Sequence, residues 1–310
     1  MIGRYPVPIR LLPKVLFSRI LPITKTWPDT VDAIVFKIRL PRIIAAIIVG
    51  GSLSVSGAVY QGMFKNPLVA PDILGVTSGS AFGAALAIFL SFSNVGIQIT
   101  SFLFGLLAVS LVYLISSRIK EEPLISLVIT GVLIGSIFTS LTSAIKYIAD
   151  TNDKLPTITF WLMGSLANIT ARDVKTILIP TAIGIIPLYI LRWKLNVLSL
   201  NEDEAKTLGL DTNKIRIIVV ICSTLITAAS VSISGMIGWI GLVIPHLSRM
   251  IVGPDYRVLL PTTILLGSSY LLLIDNIARS AATVEIPIGI LTSLVGAPFF
   301  IFLLLTNKRG

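Results

Sequence analysis

The stretch "RIIAAIIVGGSLSVSGAVYQGMF", residues 42–64, contains 23 residues, of which Arg42 is the only charged one. The hydrocarbon core of a bilayer is about 30 Å thick, and an α-helix of about 20 apolar residues crosses it. The charge stands at the first position of the stretch, where a side chain can still reach the membrane surface. We therefore interpret residues 42–64 as a membrane-spanning helix.

Similar apolar stretches recur along most of the chain. The sequence has 310 residues, 54% of them hydrophobic and 13% charged, and its mean hydropathy is +0.92. A soluble domain carries about 25% charged residues, so we predict an all-α polytopic membrane protein, a transmembrane bundle with nine spans. The predicted spans are 42–64, 73–93, 96–117, 123–147, 173–191, 215–234, 236–252, 258–277 and 286–305. The apolar but shorter stretch 155–168 predicts a partial or interfacial helix.

The formal net charge of +10 has two explanations. A strongly basic domain can bind nucleic acid, but membrane proteins also retain Lys and Arg in their cytoplasmic loops. The second explanation fits the apolar composition, so we expect no nucleic-acid partner. The chain has one cysteine and one histidine, whereas zinc, haem and iron–sulfur sites need several such ligands. We therefore expect no metal site and no cofactor in this chain.

One charged segment, "NVLSLNEDEAKTLGLDTNKIR" at 196–216, interrupts the apolar pattern. Asn201 is a favourable helix cap, acidic residues follow it in the first turn, and Gly209 is a typical helix end. The segment is either a solvated loop or a short surface helix that contacts a soluble partner, and the complete set of helix signals favours the helix. If the segment is cytoplasmic, alternation of the spans places most loop Lys and Arg residues and the C-terminus in the cytoplasm.

The N-terminus disagrees with this orientation. Residues 1–42 hold eight basic residues, and nine spans with a cytoplasmic C-terminus place them outside. Either this part of the chain lies on the outer surface as an amphipathic segment, or a first membrane helix is absent from this chain. We therefore divide the chain into an N-terminal segment, 1–38, and a transmembrane domain, 39–310.

Two patterns of small and hydroxyl side chains lie within the spans. Glycines four residues apart share one helix face and allow helix backbones to approach closely. The glycines with this spacing, which we predict to pack helices together, are Gly75, Gly79, Gly83, Gly131 and Gly135. Span 123–147 is rich in hydroxyls, which commonly bond neighbouring helices in membranes. They are Ser136, Thr139, Ser140, Thr142 and Ser143.

Two short segments indicate an internal repeat. "SVSG" at 54–57 precedes "NPL" at 66–68, and "SISG" at 232–235 precedes "PHL" at 245–247. The two spans run in opposite directions in our topology, as in the inverted repeats of transporters. Four matching residues leave an inverted repeat and a chance similarity both open.

Taken together, five longer stretches resemble the FecCD-type ABC transporter permeases, the membrane subunits that import iron–siderophore complexes, haem and cobalamin. They are "RLPRIIAAIIVGGSLSVSGAVYQGMFKNPLVAPDILGVTSG" (39–79), "FWLMGSL" (160–166), "LSLNEDEAKTLGL" (198–210), "GMIGWIGLVIPHLSRMIVGPDYRVLLP" (235–261) and "EIPIGILTSLVGAPFF" (285–300). The resemblance implies a transport subunit rather than an enzyme. The family usually has ten helices, one of them before "RLPR", so we expect upstream coding sequence to supply a further span.

The resemblance also implies a role for the charged segment 196–216. In the family, the pattern L-S-L-x-E-x-x-A-x-x-L-G forms short coupling helices that sit in a cleft of the ATPase subunit. Here the pattern is filled by Leu198, Ser199, Leu200, Glu202, Ala205, Leu208 and Gly209. The sequence contains no G-x-x-x-x-G-K-[ST] phosphate-binding loop, so we expect ATP and Mg²⁺ to bind the partner ATPase.

Further partners follow from the same resemblance. It implies two copies of this chain around a central path, two ATPase subunits on the cytoplasmic side, and an extracytoplasmic solute-binding protein. It places the hydroxyl-rich span 123–147 along the path near the inner gate. It also implies that Arg39, Arg42 and Arg279 at the outer surface receive acidic residues of the binding protein, since arginine binds a carboxylate through two nitrogens.

Three other polar residues, Asp275, Glu285 and His246, lie within or near the predicted spans. We expect Asp275 and Glu285, near span ends, to reach water at the outer interface rather than to form a proton relay, and His246 to be a packing residue.

A secondary transporter would need intramembrane carboxylates, and a membrane enzyme would need paired catalytic groups; the spans offer little of either. We expect an iron(III)–siderophore-type substrate in the plasma membrane importer, with cobalamin or haem as alternatives.

Overall fold

The computed structural model describes residues 5, 7–22, 24–119, 123–199 and 211–306. Within these residues the chain forms one short 3-10 turn, Ile9–Leu11, and a series of α-helices. The helices are α1 (Leu12–Phe17), α2 (Asp29–Met63), α3 (Val76–Phe89), α4 (Asn94–Ser116), α5 (Pro123–Ile148), α6 (Lys154–Leu162), α7 (Ala171–Ile190), α8 (Arg192–Leu198), α9 (Thr212–Ser234), α10 (Ile240–Val252), α11 (Tyr256–Ser280) and α12 (Ile288–Thr306).

The predicted all-α membrane bundle is confirmed, and each predicted span corresponds to a helix. Six helices of the described chain are long and apolar enough to cross a membrane, namely α2, α4, α5, α7, α9 and α11. The other three spans correspond to the shorter apolar helices α3, α10 and α12. The partial helix predicted within 155–168 is α6.

Helix α2 starts well before the predicted span. It begins at Asp29, so the predicted boundary between residues 38 and 39 falls inside one continuous helix. The segment Ala33–Arg39 is wound more widely, as a π-type helix, immediately before Pro41. Proline has no N–H to donate, and its ring clashes with the carbonyl one turn earlier in a regular α-helix. A wider turn at this point accommodates the proline without breaking the helix.

Helices α2 and α9 form the centre of the bundle. The most apolar parts of α2 and α9 are 78% and 72% buried, whereas those of α4, α5 and α7 are 33% buried. Thr227 of α9 donates a hydrogen bond of 2.9 Å to Ser56 of α2, and Thr224 lies 3.5 Å from the Tyr60 hydroxyl. Since residue numbers rise along α2 as they fall along α9, the two central helices are antiparallel.

Each central helix is followed by a loop and then by a short helix. Helix α2 leads through residues 64–75 to α3, which has 14 residues, and α9 leads through residues 235–239 to α10, which has 13. Helices of this length are about 20 Å long, too short to cross the hydrocarbon core alone. An inverted repeat requires this antiparallel arrangement, and the repeat itself stays a prediction.

The glycines singled out in the sequence differ in what they contact. A Cβ atom on Gly79 or Gly83 would lie 2.5 Å from a carbonyl oxygen of α4, so α3 and α4 pack directly through these positions. A Cβ on Gly131 would lie 2.2 Å from the Ile73 carbonyl oxygen, whereas Gly135 has room, with its nearest neighbour at 3.6 Å. Gly75 does not share the α3 face, because it precedes the helix with a φ of +75°.

Candidate functional site

A cavity of about 400 Å³ lies where the loops 64–75 and 235–239 meet inside the bundle. A Cβ atom added to Gly241 would lie 2.4 Å from Pro71 Cγ and 2.8 Å from the Leu53 carbonyl oxygen. Leu53 is ten residues before the end of α2 at Met63, which corresponds to about 15 Å along the helix. The loop 64–75 therefore turns back into the bundle, and α3 and α10 both begin at the cavity.

The second loop at the cavity holds a strained residue. Trp239 precedes α10 with a φ of +68°, an uncommon conformation for a residue with a side chain. Such a conformation costs roughly 1–3 kcal/mol and is found most often at functional sites. A Cβ atom on Gly296 of α12 would lie 2.6 Å from Trp239 Cβ, so the close approach of α12 holds Trp239 in place.

Three stretches that are far apart in the sequence are joined by backbone hydrogen bonds next to this cavity. Ser165 N–H donates to the Ser234 carbonyl at 2.8 Å, and Ile288 N–H donates to the Gly164 carbonyl at 2.9 Å. The segments "FWLMGSL", "GMIGWIG" and "EIPIG" therefore meet at one point. Their ends need these partners because a backbone polar group without a hydrogen bond is costly within a membrane.

The hydroxyl-rich part of α5 lies largely on the surface of the single chain. Ser136, Thr139, Ser140 and Ser143 are exposed, and Thr142 is buried. Thr139, Thr142 and Ser143 donate their hydrogen bonds to α5 carbonyls, at 2.8, 2.8 and 3.0 Å. These three bonds lie within α5, so these side chains do not bond a neighbouring helix in the single chain, and the path-lining role implied by the family resemblance stays a prediction. Four of the hydroxyl-bearing side chains are open to a neighbouring molecule or to a water-filled path.

At one end of the bundle, Arg42 forms a buried ionic cluster that we call the Arg42 junction, consisting of Arg42, Asp275, Glu285 and Arg279. Arg42 Nε lies 2.9 and 3.1 Å from the two carboxylate oxygens of Asp275. Its terminal nitrogens lie 3.1 and 3.0 Å from the two oxygens of Glu285. The junction thus ties the start of α2 to the end of α11 and to the loop before α12.

The structure corrects the expected exposure of Arg39, Arg42 and Asp275, whereas the Glu285 side chain is 33% exposed and can reach water, as expected. Arg39 and Arg42 are each only 6% exposed, and Asp275 is 1% exposed, so these side chains do not reach the outer surface freely. Arg39 donates to the Tyr5 carbonyl at 2.5 Å. Arg279 is half-buried, lies 4.0 Å from Asp275 and bonds Asn276. Arg42 is buried because it pairs inside the protein with Asp275, which lies 233 residues away in the sequence.

At the opposite end of α11, Asn196 joins the charged segment to the helix start. The Asn196 amide donates to Asp255 Oδ1 at 2.8 Å and accepts from Tyr256 N–H at 2.8 Å. We call Asn196, Asp255 and Tyr256 the Asn196 junction. Asp255 also accepts from Arg257, and this guanidinium holds the pKa of the Asp255 carboxyl well below its usual range. Tyr256 donates to the Ala58 carbonyl at 2.7 Å, so α2 is held at the same point.

The predicted coupling residues fall mostly outside the part of the chain that the structure describes. Leu198 is buried at the end of α8, and Ser199 follows it and donates to the Leu195 carbonyl at 3.4 Å. Leu200, Glu202, Ala205, Leu208 and Gly209 lie outside the described residues. The chain is described again from Asp211, which caps α9 by accepting from Lys214 N–H at 3.1 Å.

Sequence reasoning missed the residues that the fold brings together from distant positions. No sequence pattern around Asn196 indicated a structural role, since its partners lie about 60 positions away. Asp72, in the wall of the cavity, had a signal: it is a single acidic residue between the apolar stretches "NPLVAP" and "ILGV". His246 lies at the edge of Phe300 with ring centroids 6.2 Å apart, a contact suited to the packing role expected for it.

Known proteins resemble this chain over most of its length. The profile of the FecCD transport family matches residues 1–306. The chain is 46% identical to the molybdate import system permease protein MolB of Haemophilus influenzae, over 100% of this chain and 91% of MolB. It is 40% identical to a "probable iron chelatin transport system permease protein" of Helicobacter pylori, over 90% of this chain and 85% of the relative. A solved structure described as an inward-facing metal-chelate-type ABC transporter matches with a TM-score of 0.86 and 43% identity, covering 97% of this chain and all of that one.

Proposed function

This chain belongs to the FecCD transport family, and from that membership we propose that it carries an iron(III)–siderophore-type chelate into the cytoplasm. It is a multi-pass membrane protein and the permease subunit of an ABC importer of the metal-chelate type. It is a transport component rather than an enzyme, because the permeases of this family leave ATP hydrolysis to a separate ATPase subunit.

The observation that carries the proposal is the pair of short helices that begin at a cavity inside the bundle. Discontinuous helices of this kind surround substrate sites near the membrane midplane in many transporters. Alternating access needs a site that neither side of the membrane reaches permanently. The cavity between α3 and α10, with the strained Trp239 in its wall, is our candidate for part of that path.

We propose that two copies of this chain enclose the path. Two-fold symmetry closes such an assembly without further contacts, and the exposed hydroxyls of α5 at Ser136, Thr139, Ser140 and Ser143 supply a polar face for the path. The Asn196 junction faces the cytoplasm in this proposal, together with the C-terminus and the two ATPase subunits. The Arg42 junction then faces outwards, towards a solute-binding protein.

Docking of the binding protein needs a basic residue that still has donors to offer. Arg42 is already paired with two carboxylates, so in this proposal it holds the docking surface together rather than contacting the partner. Arg279 is half-buried and lies farther from Asp275, at 4.0 Å. We therefore assign the contact chiefly to Arg279, since Arg39 is buried and bonds the Tyr5 carbonyl.

The substrate has a second candidate, molybdate. The observation in its favour is the 46% identity to MolB, named as a molybdate import permease, over this whole chain. The iron chelatin permease of Helicobacter pylori is 40% identical over a shorter part of the chain. Cobalamin and haem remain alternatives within the same transporter class.

The test is uptake by the complex reconstituted in liposomes with its ATPase and binding protein. We expect ATP-dependent accumulation of a radiolabelled ferric hydroxamate chelate that unlabelled molybdate does not inhibit. Uptake of labelled molybdate instead would identify the second candidate. If neither is taken up although ATP hydrolysis is stimulated, the proposed substrate is wrong while the transporter class stands.

The coupling role of segment 196–216 has its own test. The double substitution Ala205→Trp with Gly209→Trp places two large side chains in the predicted ATPase contact. We expect a folded permease whose ATPase no longer responds to transport substrate. ATPase binding and stimulation at the unsubstituted level would contradict the assignment of these residues.

A further inference from the structure

We propose that Asp72 sets the charge preference of the cavity between α3 and α10, so that the cavity admits neutral or cationic metal chelates and excludes oxyanions such as molybdate. The inference rests on the proposed function, in which this cavity is part of the transport path. It extends that function by naming the charge class of the substrate and the residue that selects it.

Asp72 stands at the cavity with its charge uncompensated by a neighbouring cation. It lies in the loop 64–75, its side chain is exposed, and it is the only ionisable residue among those that line the cavity. Within the described part of the chain, no Lys, Arg or His comes within ion-pair distance of its carboxylate, in contrast to Asp275, which has Arg42. The other polar side chains of the lining are uncharged, with Thr77 and Thr227 among them.

The field that Asp72 opposes comes from two helix ends. Helices α3 and α10 begin at Val76 and Ile240, beside the cavity, and first-turn residues of both helices, Thr77 and Gly241, line it. Each helix N-terminus carries the equivalent of about half a positive charge and favours an anion. Two such ends without a counter-charge would form an attractive site for an oxyanion. The two helix ends together carry the equivalent of about one positive charge, and the Asp72 carboxylate carries one negative charge. With Asp72 present, the cavity therefore has little remaining attraction for a free anion.

The size and the walls of the cavity agree with a chelate rather than with a small oxyanion. Its volume of about 400 Å³ is within the range of sites for organic ligands and much larger than a four-oxygen anion requires. Leu53, Val231 and Trp239 supply apolar wall. A chelate in which organic ligands cover the metal presents an apolar, weakly charged surface that suits such walls, whereas a bare oxyanion requires several hydrogen-bond donors in close contact.

The chain offers a direct probe of the field in the cavity. Cys222 is its one cysteine and is buried, so a Cys222→Ser background removes native thiols. Gly238 lines the cavity, is exposed, and has no atom within 4 Å of an added Cβ. The Gly238→Cys substitution therefore introduces a reporter thiol without a clash. Its rates of modification by a cationic and by an anionic methanethiosulfonate reagent measure the local potential on the purified permease.

We expect the ratio of cationic to anionic modification rates to fall on the order of tenfold when Asp72→Asn is added, because one full charge is lost at short range. Asp72→Glu should keep the original ratio, and Asp153→Asn, at an exposed carboxylate on another loop, should leave it unchanged. Millimolar molybdate should slow modification only in the Asp72→Asn protein. A second reporter, Thr77→Cys, repeats the measurement from the α3 side of the cavity.

The proposal is overturned if the rate ratio is the same with Asp72 and with Asp72→Asn, or if molybdate protects the thiol equally in both proteins. These measurements need neither the ATPase nor transport. They therefore succeed or fail independently of the uptake test, and a permease that takes up no iron chelate can still show whether Asp72 excludes anions from the cavity.

Discussion

The two ends of α11 are held by different chemistry. At the Arg42 junction, a buried arginine is bound through five N–O contacts of 2.9 to 3.1 Å to two carboxylates. At the Asn196 junction, one amide makes two hydrogen bonds, and the carboxylate it contacts is 36% exposed. The first arrangement is costly to break because it would leave charge buried. The second can be exchanged for water, because its hydrogen bonds lie at a partly exposed helix start.

The largest effect is expected from breaking the Arg42 junction. Arg42→Met leaves Asp275 buried without its partner, and we expect a loss of about 3–5 kcal/mol in the free energy of unfolding. The measurement is denaturant unfolding of the purified permease in detergent, followed by tryptophan fluorescence. The matched control is Arg257→Met at the other end of the same helix, whose pair with Asp255 is exposed to solvent and therefore contributes little to stability. If both variants lost the same free energy of unfolding, the Arg42 junction would not be the more strongly stabilising end of α11.

A smaller effect on stability, with a distinct effect on coupling, is expected at the Asn196 junction. Asn196→Ala removes two hydrogen bonds, and we expect a loss of about 1–2 kcal/mol together with less transport per ATP hydrolysed. The readout is the ratio of uptake to ATP hydrolysis in liposomes. Asn276→Ala, an amide at the opposite end of α11, should leave that ratio unchanged. A normal ratio in Asn196→Ala would show that this junction holds structure only.

The outer location proposed for the Arg42 junction predicts an effect on partner binding. Arg279→Gln should weaken binding-protein affinity by a few-fold at low salt, because it removes the positive charge that we assign to the contact. The difference should shrink as salt rises, because salt screens the attraction. Arg257→Gln, at the Asn196 end of the helix, should bind the partner normally. If Arg257→Gln weakened binding and Arg279→Gln did not, the Asn196 end of α11, and not the Arg42 end, would face the binding protein.

The smallest effect concerns pH at the Asn196 junction. The pKa of Asp255 is lowered in the folded protein by its bond to Arg257, from an unfolded value of about 3.9. Its contribution to stability is therefore complete above that value and is lost as the pH falls through the lower folded pKa. We expect the melting temperature difference between the unsubstituted protein and Asp255→Asn to stay constant from pH 8 to 5 and to narrow below pH 4. A change between pH 5 and 8 would mean that another group titrates there.

Part of this architecture was predictable from local pattern. The positions of the nine apolar helices and of the partial helix at α6 follow from hydropathy, which acts over a few residues, although within the described chain only six of the nine are long enough to cross a membrane alone. Gly79 and Gly83 lie where a neighbouring helix approaches closely, as expected for small residues at this spacing, whereas Gly131 approaches the loop before α3 rather than a helix.

One failed prediction has a local cause: the wide turn before Pro41 lets α2 continue back to Asp29. The others depended on where a distant segment lies. Gly75 precedes α3 instead of sharing its face, and its neighbours there are Gly131 and Gly135 of α5. Arg42 resembled a surface residue until the fold placed Asp275 beside it. A charge at the end of a span can reach water or pair internally, and the sequence does not distinguish the two cases.

The amino-acid sequence by itself determined that this chain crosses the membrane repeatedly, because the cost of placing polar groups in hydrocarbon is paid residue by residue and needs no knowledge of the fold. Tertiary structure alone decided that α3 and α10 begin at one cavity, that Asp72 lines it, and that α11 is held by charge at one end and by an amide at the other. The hydrogen bonds at these two ends join residues 59 to 243 positions apart, and their energies depend on distance and burial, which exist only once the helices have packed.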